Sequence, residues 1–202
     1  ALSKEQIRMI TTASALHDIG KISIPDEILN KPGRLTAEEF AVIKGHSMAG
    51  ANMLSELPLD QKEEPLVKTA YEICRWHHER YDGGGYPDGL KGEEIPVSAQ
   101  VVALADVYDA LTSERCYKDA YSHEKAIEMI LAGQCGAFNP LMLECLLDIS
   151  SSLKKKMGYK SKERYEQTDL SDIASRFHDF EMDSSEKIVQ QLEFERMRHN
   201  FL

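Results

Sequence analysis

Apolar residues recur at three- and four-residue spacing along most of the chain, with no sustained two-residue alternation, and this pattern predicts a nearly all-helical fold. A first helix is expected over about Lys4 to His17, with Ile7, Ile10, Ala13 and Leu16 or His17 along one side. Pro25 forces an extended approach after Ile22-Ser23-Ile24, and Asp26–Leu29 has room for one turn. Lys31-Pro32-Gly33-Arg34 reads as a turn, and Thr36 with Glu39 makes a capping box for a helix over about Ala37 to Leu57. Pro65, suited to a first helical position, opens another that runs to about Glu79. The stretch Arg80 to Pro96 holds Gly83-Gly84-Gly85, Gly89, Gly92 and two prolines, and loops of such length in a compact domain are often functional. Helices are then expected over about Val97 to Ser113, after Ser122 with Ala126, Ile127, Ile130 and Leu131 on one face, and from Asn139-Pro140 to near Ser152.

From Ser151 the composition changes. Lys154-Lys155-Lys156 and the polar residues to Ser171 read as a solvated connector, and Ser184 or Ser185 caps a last helix with the narrow stripe Ile188, Val189, Leu192 and Met197. That helix either packs back on the domain or leads to another one. The organisation expected is a bundle over 1–150 followed by a connector and amphipathic helix over 151–202.

The chain has 202 residues, 42% apolar and 29% charged, enough for one sizeable core plus an appendage. No apolar run approaches the roughly 20 residues that span a bilayer, and Ala1–Ile10 lacks the regions of a signal peptide. With 24 Lys+Arg against 34 Asp+Glu, a net charge of −10, long-range attraction to nucleic acid or anionic lipid is disfavoured. A phosphate ligand must then be held by a few placed cations or by metal. Cys74, Cys116, Cys135 and Cys145 form no CxxC pair and read as reduced, structural cysteines of a cytoplasmic protein.

The histidines carry more information. His17-Asp18 with Lys21 puts an imidazole, a carboxylate and an ammonium at one helix end, which suits a metal and a phosphate oxygen on it, or merely a compensated helix dipole. His46 shares the stripe of Phe40, Ile43, Gly50 and Met53, where a buried, satisfied histidine is the commoner finding; Gly50 would leave space for a bulky neighbour such as a metal centre. His77-His78 end a helix, about 100° apart if helical, too far to chelate one ion easily but placed to serve two. Asp106 and Asp109 sit at i, i+3 in an apolar helix, where buried carboxylates need a metal or a basic partner. Together these groups lie on four predicted helices, the way a bundle builds an internal di-metal site, and mixed imidazole and carboxylate donors suit iron, manganese or zinc rather than calcium.

The run His17-Asp18-Ile19-Gly20-Lys21, then Ile24-Pro25, Lys31-Pro32-Gly33, His46, His77-His78-Glu79-Arg80-Tyr81-Asp82-Gly83-Gly84-Gly85-Tyr86-Pro87, Gly89-Leu90, Ile95-Pro96, Asp106-Val107-Tyr108-Asp109-Ala110-Leu111-Thr112, Arg115 and Tyr117-Lys118 resembles the HD-GYP domain, a branch of the HD phosphohydrolase superfamily. The likeness covers about Ala1 to Leu147. It implies an all-α HD-type bundle around a centre of two or three divalent transition metal ions, Fe or Mn, hydrolysing cyclic di-GMP to linear pGpG or GMP in bacterial second-messenger signalling. By the resemblance His17, Asp18, His46, His77, His78 and Asp106 are the metal ligands, Asp18 and Lys21 the catalytic residues, and Lys21, Gly85, Tyr86, Pro87, Arg115 and Lys118 the substrate contacts. It further implies sensory, receiver or GGDEF domains in the whole protein, with a homodimer as a candidate assembly. Three departures stand out. The chain begins at what resembles the family's second helix, so a histidine-bearing first helix is expected to be missing; Asn139 stands where aspartate is usual; Gln100 stands where arginine is common. Two other readings stay open: a degenerate module that binds nucleotide or a partner without turnover, and another HD-type nucleotide phosphohydrolase.

Overall fold

A computed structural model of the chain describes residues 2–114 and 120–156, and all regular structure among them is helical. Helix α1 (Lys4–Ala13) is followed by two 3₁₀ turns (Ser14–Leu16 and Ile19–Ser23), the one-turn α2 (Asp26–Leu29), α3 (Ala37–Ser55), the short α4 (Leu59–Lys62) and α5 (Pro65–Trp76). The glycine-rich loop contains one further 3₁₀ turn (Gly92–Glu94) and leads to α6 (Val97–Thr112), α7 (His123–Leu131) and α8 (Pro140–Lys156). None of these helices is long and apolar enough to cross a membrane.

The expected capping signals form. Thr36 and Glu39 make their reciprocal capping box, Ser122 accepts from the Lys125 amide, and Asn139 Oδ1 accepts from the Leu141 amide at 3.0 Å. Four boundaries differ from the sequence reading. The first helix is α-helical only to Ala13, because the Thr11 and Ser14 hydroxyls bond back to the Ile7 and Thr11 carbonyls and the backbone tightens to a 3₁₀ turn. The helix opened by Pro65 stops at Trp76 rather than Glu79. The helix from Ala37 stops at Ser55, and Pro58 starts the short α4, which the periodicity did not indicate. Helix α8 runs on to Lys156, so the polar connector expected from Ser151 starts inside a helix. Leu153 packs on the core there, Lys154 pairs with Glu124, and three lysines in the last turn suit the helix dipole. The expected last helix near Ser184 lies outside the described residues.

α5 is central, packing on α1, α3 and α6, while α6 carries α7 and α8 on its far side. Ile10, Ala13, Ala70, Ile73 and Val102 knit α1, α5 and α6; Ile24, Leu35, Phe40 and Ile43 seat the 18–35 segment on α3. The largest cluster joins α6, α7 and α8 around Val107, Leu111, Ile127, Ile130 and Leu143. A buried polar link crosses it: Tyr108 Oη and His123 Nδ1 are 2.7 Å apart, as are His123 Nε2 and Ser150 Oγ.

Asn139 and Gln100, two of the three departures noted in the sequence, face each other. Asn139 Nδ2 donates to Gln100 Oε1 at 2.9 Å, and Gln100 Nε2 donates to the Ile95 carbonyl at 2.7 Å. An amide pair therefore joins the start of α8 to α6 and the end of the loop.

Candidate metal centre

Asp18 reaches the core because two glycines let backbones touch. A Cβ on Gly20 would lie 1.9 Å from the His46 carbonyl oxygen and 2.4 Å from the Gly50 nitrogen, and one on Gly50 would lie 3.2 Å from the Gly20 nitrogen. Gly50 thus makes room for the 3₁₀ turn Ile19–Ser23, not for a metal as the sequence reading had it. With the turn pressed on α3, Asp18 Oδ1 stands 3.2 Å from His46 Nε2 and 3.9 Å from His77 Nε2. Its other oxygen, Oδ2, lies 3.2 Å from His17 Nε2 and accepts from Lys21 Nζ at 2.8 Å.

His77 and His78 converge rather than diverge. Helix α5 ends at Trp76, His77 is its C-cap, and His78 lies beyond it, so helical spacing no longer separates them; their ring centroids are 3.9 Å apart. Asp18, His46, His77 and His78 offer one ligand atom each, all within 4.8 Å of one another, and the three histidines are buried. On the other side of Asp18, His17 Nε2 is 3.9 Å from Asp106 Oδ1 on α6. Of the six residues only His46 and Asp106 are inside α-helices; the rest sit at helix ends and turns. Asp109 is exposed and accepts from Ser113 Oγ, so it takes no part.

The rings are oriented from behind. The Nδ1 atoms of His17, His46 and His77 lie 2.8, 2.7 and 2.8 Å from the carbonyls of Ser14, Ile43 and Ile73. A carbonyl accepts only from N–H, so each ring carries its proton on Nδ1 and turns an Nε2 lone pair to the centre, the arrangement of metal-ligating histidines. His78 Nε2 is 3.2 Å from His46 Nε2. Asp18 Oδ1 and His77 Nε2 are buried without a hydrogen-bond partner, which buried polar atoms rarely tolerate. A divalent transition metal fits this donor set and would answer both atoms.

The electrostatics agree. Burial, reinforced by the neighbouring His46, lowers His77 to about 3, so its ring is neutral at physiological pH. For Asp18 burial opposes the charge, but the adjoining His17 and His46 rings and the Lys21 ammonium hold its carboxyl far below the usual carboxylate range. For His17 burial opposes the proton, but Asp18 and Asp106 outweigh it and raise the pKa. Burial lowers His123 as well. A histidine lowered in the folded state contributes stability that is complete above its ordinary 6.5 and is lost as pH falls. His17, being raised, has the opposite sign, and Asp18 withdraws support only below its ordinary 3.8. The stability that His77 contributes to metal-free protein therefore falls between pH 6.5 and about 4, by at most about 1.4 kcal/mol per pH unit, and the urea midpoint of His77→Asn lacks this part of the wild-type pH dependence.

The remaining predicted contacts flank the centre. The Tyr86 ring stacks on His78 at 4.7 Å between centroids and 23° between planes, and its amide donates to the His78 carbonyl at 3.3 Å. Lys44 Nζ lies 5.5 Å from the Tyr86 ring centroid. Gly85 lies against the backbone of Glu79, and Pro87 is half-buried. Arg115 and Lys118 lie outside the described residues. Lys44 was not singled out in the sequence, where a lysine on the polar side of a helix carries no signal.

The HD domain family model matches residues 1–138. The chain is 43% identical, over 78% of its length and 40% of the relative's, to the cyclic di-GMP phosphodiesterase response regulator RpfG of Xanthomonas campestris pv. campestris. It is 45% identical, over 73% and 30%, to a cyclic di-GMP phosphodiesterase of Vibrio cholerae, and 42% identical, over 73% and 27%, to the 3'3'-cGAMP-specific phosphodiesterase 2 of the same organism. The chain thus spans well under half the length of these curated relatives.

Proposed function

The chain belongs to the HD domain family, in its HD-GYP branch, and from that premise we propose that it is a metal-dependent phosphodiesterase domain hydrolysing cyclic di-GMP to pGpG or GMP. One observation carries this reading: Asp18, His46, His77 and His78 offer ligand atoms at one buried point, and Tyr86 stacks directly on one of those ligands. His17 and Asp106, on the other side of Asp18, would with Asp18 hold a second ion; Fe or Mn suits the donors.

Divalent cations held there would polarise phosphoryl oxygens and lower the pKa of a water. The chain's own residues do the rest. Asp18 fixes the charge balance between the two groups of imidazoles. Lys21 orients Asp18 and adds positive charge beside the site of phosphoryl attack, where it stabilises charge that grows in the transition state. Gly85, Tyr86 and Pro87 form one wall of the substrate mouth, and Arg115 and Lys118 are proposed to contact phosphate. A net charge of −10 does not oppose a dianionic substrate, because the ions and these cations supply the local field.

The same reading assigns residues 1–150 to the catalytic bundle and 151–202 to a link toward sensory, receiver or GGDEF domains in a cytoplasmic, homodimeric signalling protein. A relative described as a response regulator supports that arrangement. The test is metal analysis of protein loaded with Fe(II) or Mn(II), followed by incubation with cyclic di-GMP, 3'3'-cGAMP and mononucleotides and separation of products. Linear pGpG or GMP from cyclic di-GMP is expected. Preference for 3'3'-cGAMP would move the substrate to that of the third relative. Metal without turnover would identify a binding module, and turnover of mononucleotides alone another nucleotide phosphohydrolase.

A further inference from the structure

The loop carrying Tyr86 is tied down by a buried carboxylate outside the proposed ligand set. Glu79, 3% exposed, directs Oε1 at the far side of the loop, where it accepts the amides of Asp88 at 2.8 Å and Gly89 at 3.0 Å. Its own backbone is the floor of the near side: a Cβ on Gly85 would lie 2.4 Å from the Glu79 Cα, so this residue alone lets the loop close. Asp88 is gripped from outside as well, by Arg75 Nε at 2.7 Å, Arg75 Nη2 at 3.0 Å and Trp76 Nε1 at 2.7 Å. Both ends of Gly85–Gly89 are thereby fixed to the end of α5, the segment that also delivers His77 and His78.

We propose that Glu79 is a positioning residue, holding the Gly85–Gly89 turn so that Tyr86 stays stacked on His78 and faces the substrate. The proposal rests on the phosphodiesterase reading for its kinetic consequence but not for its structural one. Two backbone N–H groups on one buried carboxylate oxygen set the loop's distance from the helix end. Removing that acceptor leaves two loop amides without it and frees Tyr86 to leave His78, while the Nδ1 anchors that orient His46 and His77 are untouched.

The experiment compares Glu79→Ala, Glu79→Gln and Glu79→Asp. Trp76 is the chain's one tryptophan, and its indole N–H is on Asp88, so its emission reports loop docking directly. Glu79→Ala is expected to shift Trp76 emission and raise its acrylamide quenching, with metal content unchanged and KM for cyclic di-GMP raised roughly tenfold or more against a smaller change in kcat. Glu79→Gln keeps a carbonyl acceptor and restores both emission and KM. Should Glu79→Ala not fold, Glu79→Asp, with the charge kept and the reach shortened, is expected to show the same shifts. Unchanged Trp76 emission in Glu79→Ala, or Glu79→Gln as impaired as Glu79→Ala, overturns the proposal, as does loss of metal in step with loss of activity. Should the parent protein hydrolyse no cyclic dinucleotide, the phosphodiesterase reading fails while the emission comparison still decides the role of Glu79.

Discussion

Asp18→Ala is expected to remove bound metal and to lower the proposed phosphodiester hydrolysis by at least about 10³-fold, the scale on which residues that act as one catalytic unit fail together. The carboxylate faces both halves of the proposed centre: Oδ1 faces His46 and His77, and Oδ2 faces His17 and Lys21. Without it the His46 and His77 half loses its carboxylate and the His17 half keeps Asp106 alone, so neither half retains the donor set or the field for a dication. Asp18→Asn separates the two contributions. It keeps the shape and one oxygen but presents N–H groups where a cation is needed, so fold is retained while metal content and turnover are lost. Metal per chain by atomic emission and initial rates of cyclic di-GMP hydrolysis measure both. Full activity in metal-loaded Asp18→Ala would sink the proposed centre.

Gly20→Ala destabilises the protein by about 3 kcal/mol or more, roughly 6–12 °C in Tm for a chain of this size. The added methyl would fall 1.9 Å from the His46 carbonyl oxygen and 2.4 Å from the Gly50 nitrogen, and both obstacles are helix backbone, which has no rotamer to yield. Relief requires lifting the 3₁₀ turn off α3, and that carries Asp18 away from His46. The variant therefore loses metal as well as stability, although residue 20 bears no ligand. Gly45→Ala is the control in the same helix region: nothing lies within 4 Å of its Cβ, and alanine there adds up to about 1 kcal/mol by restricting the unfolded chain. Thermal and urea melts of metal-free protein, with metal titration, distinguish the pair. Equal stability for Gly20→Ala and wild type would overturn this account of how the HD segment is seated.

The elements most legible from sequence were those whose ends are written locally. The Thr36 and Glu39 box, Ser122, Pro65 and Asn139-Pro140 all start helices where short-range chemistry says they should. Helix ends were less legible, because they depend on partners distant in sequence. Trp76 ends α5 where the loop returns to bond with Glu79, and α8 outlasts its polar composition because Leu153 finds the core and Lys154 finds Glu124. The site followed the same division. The identities of the histidines and of Asp106 stood out as polar residues in apolar company, whereas the convergence of His77 with His78 and the purpose of Gly50 could not be read from periodicity. Both follow from where a helix stops and where another backbone approaches. The grip of Arg75 and Trp76 on Asp88 left no trace in sequence, since an arginine, a tryptophan and an aspartate in that order are ordinary at a helix end and loop.

The facing amides of Gln100 and Asn139 bear on the charge balance at the head of α8. Glu93 Oε1 already receives the Tyr81 hydroxyl at 2.8 Å and lies 3.4 Å from Asn139 Nδ2. An aspartate at 139 would set a second negative charge beside Glu93 unless an arginine at 100 balanced it, and an arginine at 100 would lack its carboxylate unless aspartate stood at 139. Either exchange alone would be disfavoured, and the amide pair makes a neutral lock where the family resemblance implies a charged one. The union of the loop's end with the head of α8 is then made by neutral groups, which salt screens less than it would an ion pair.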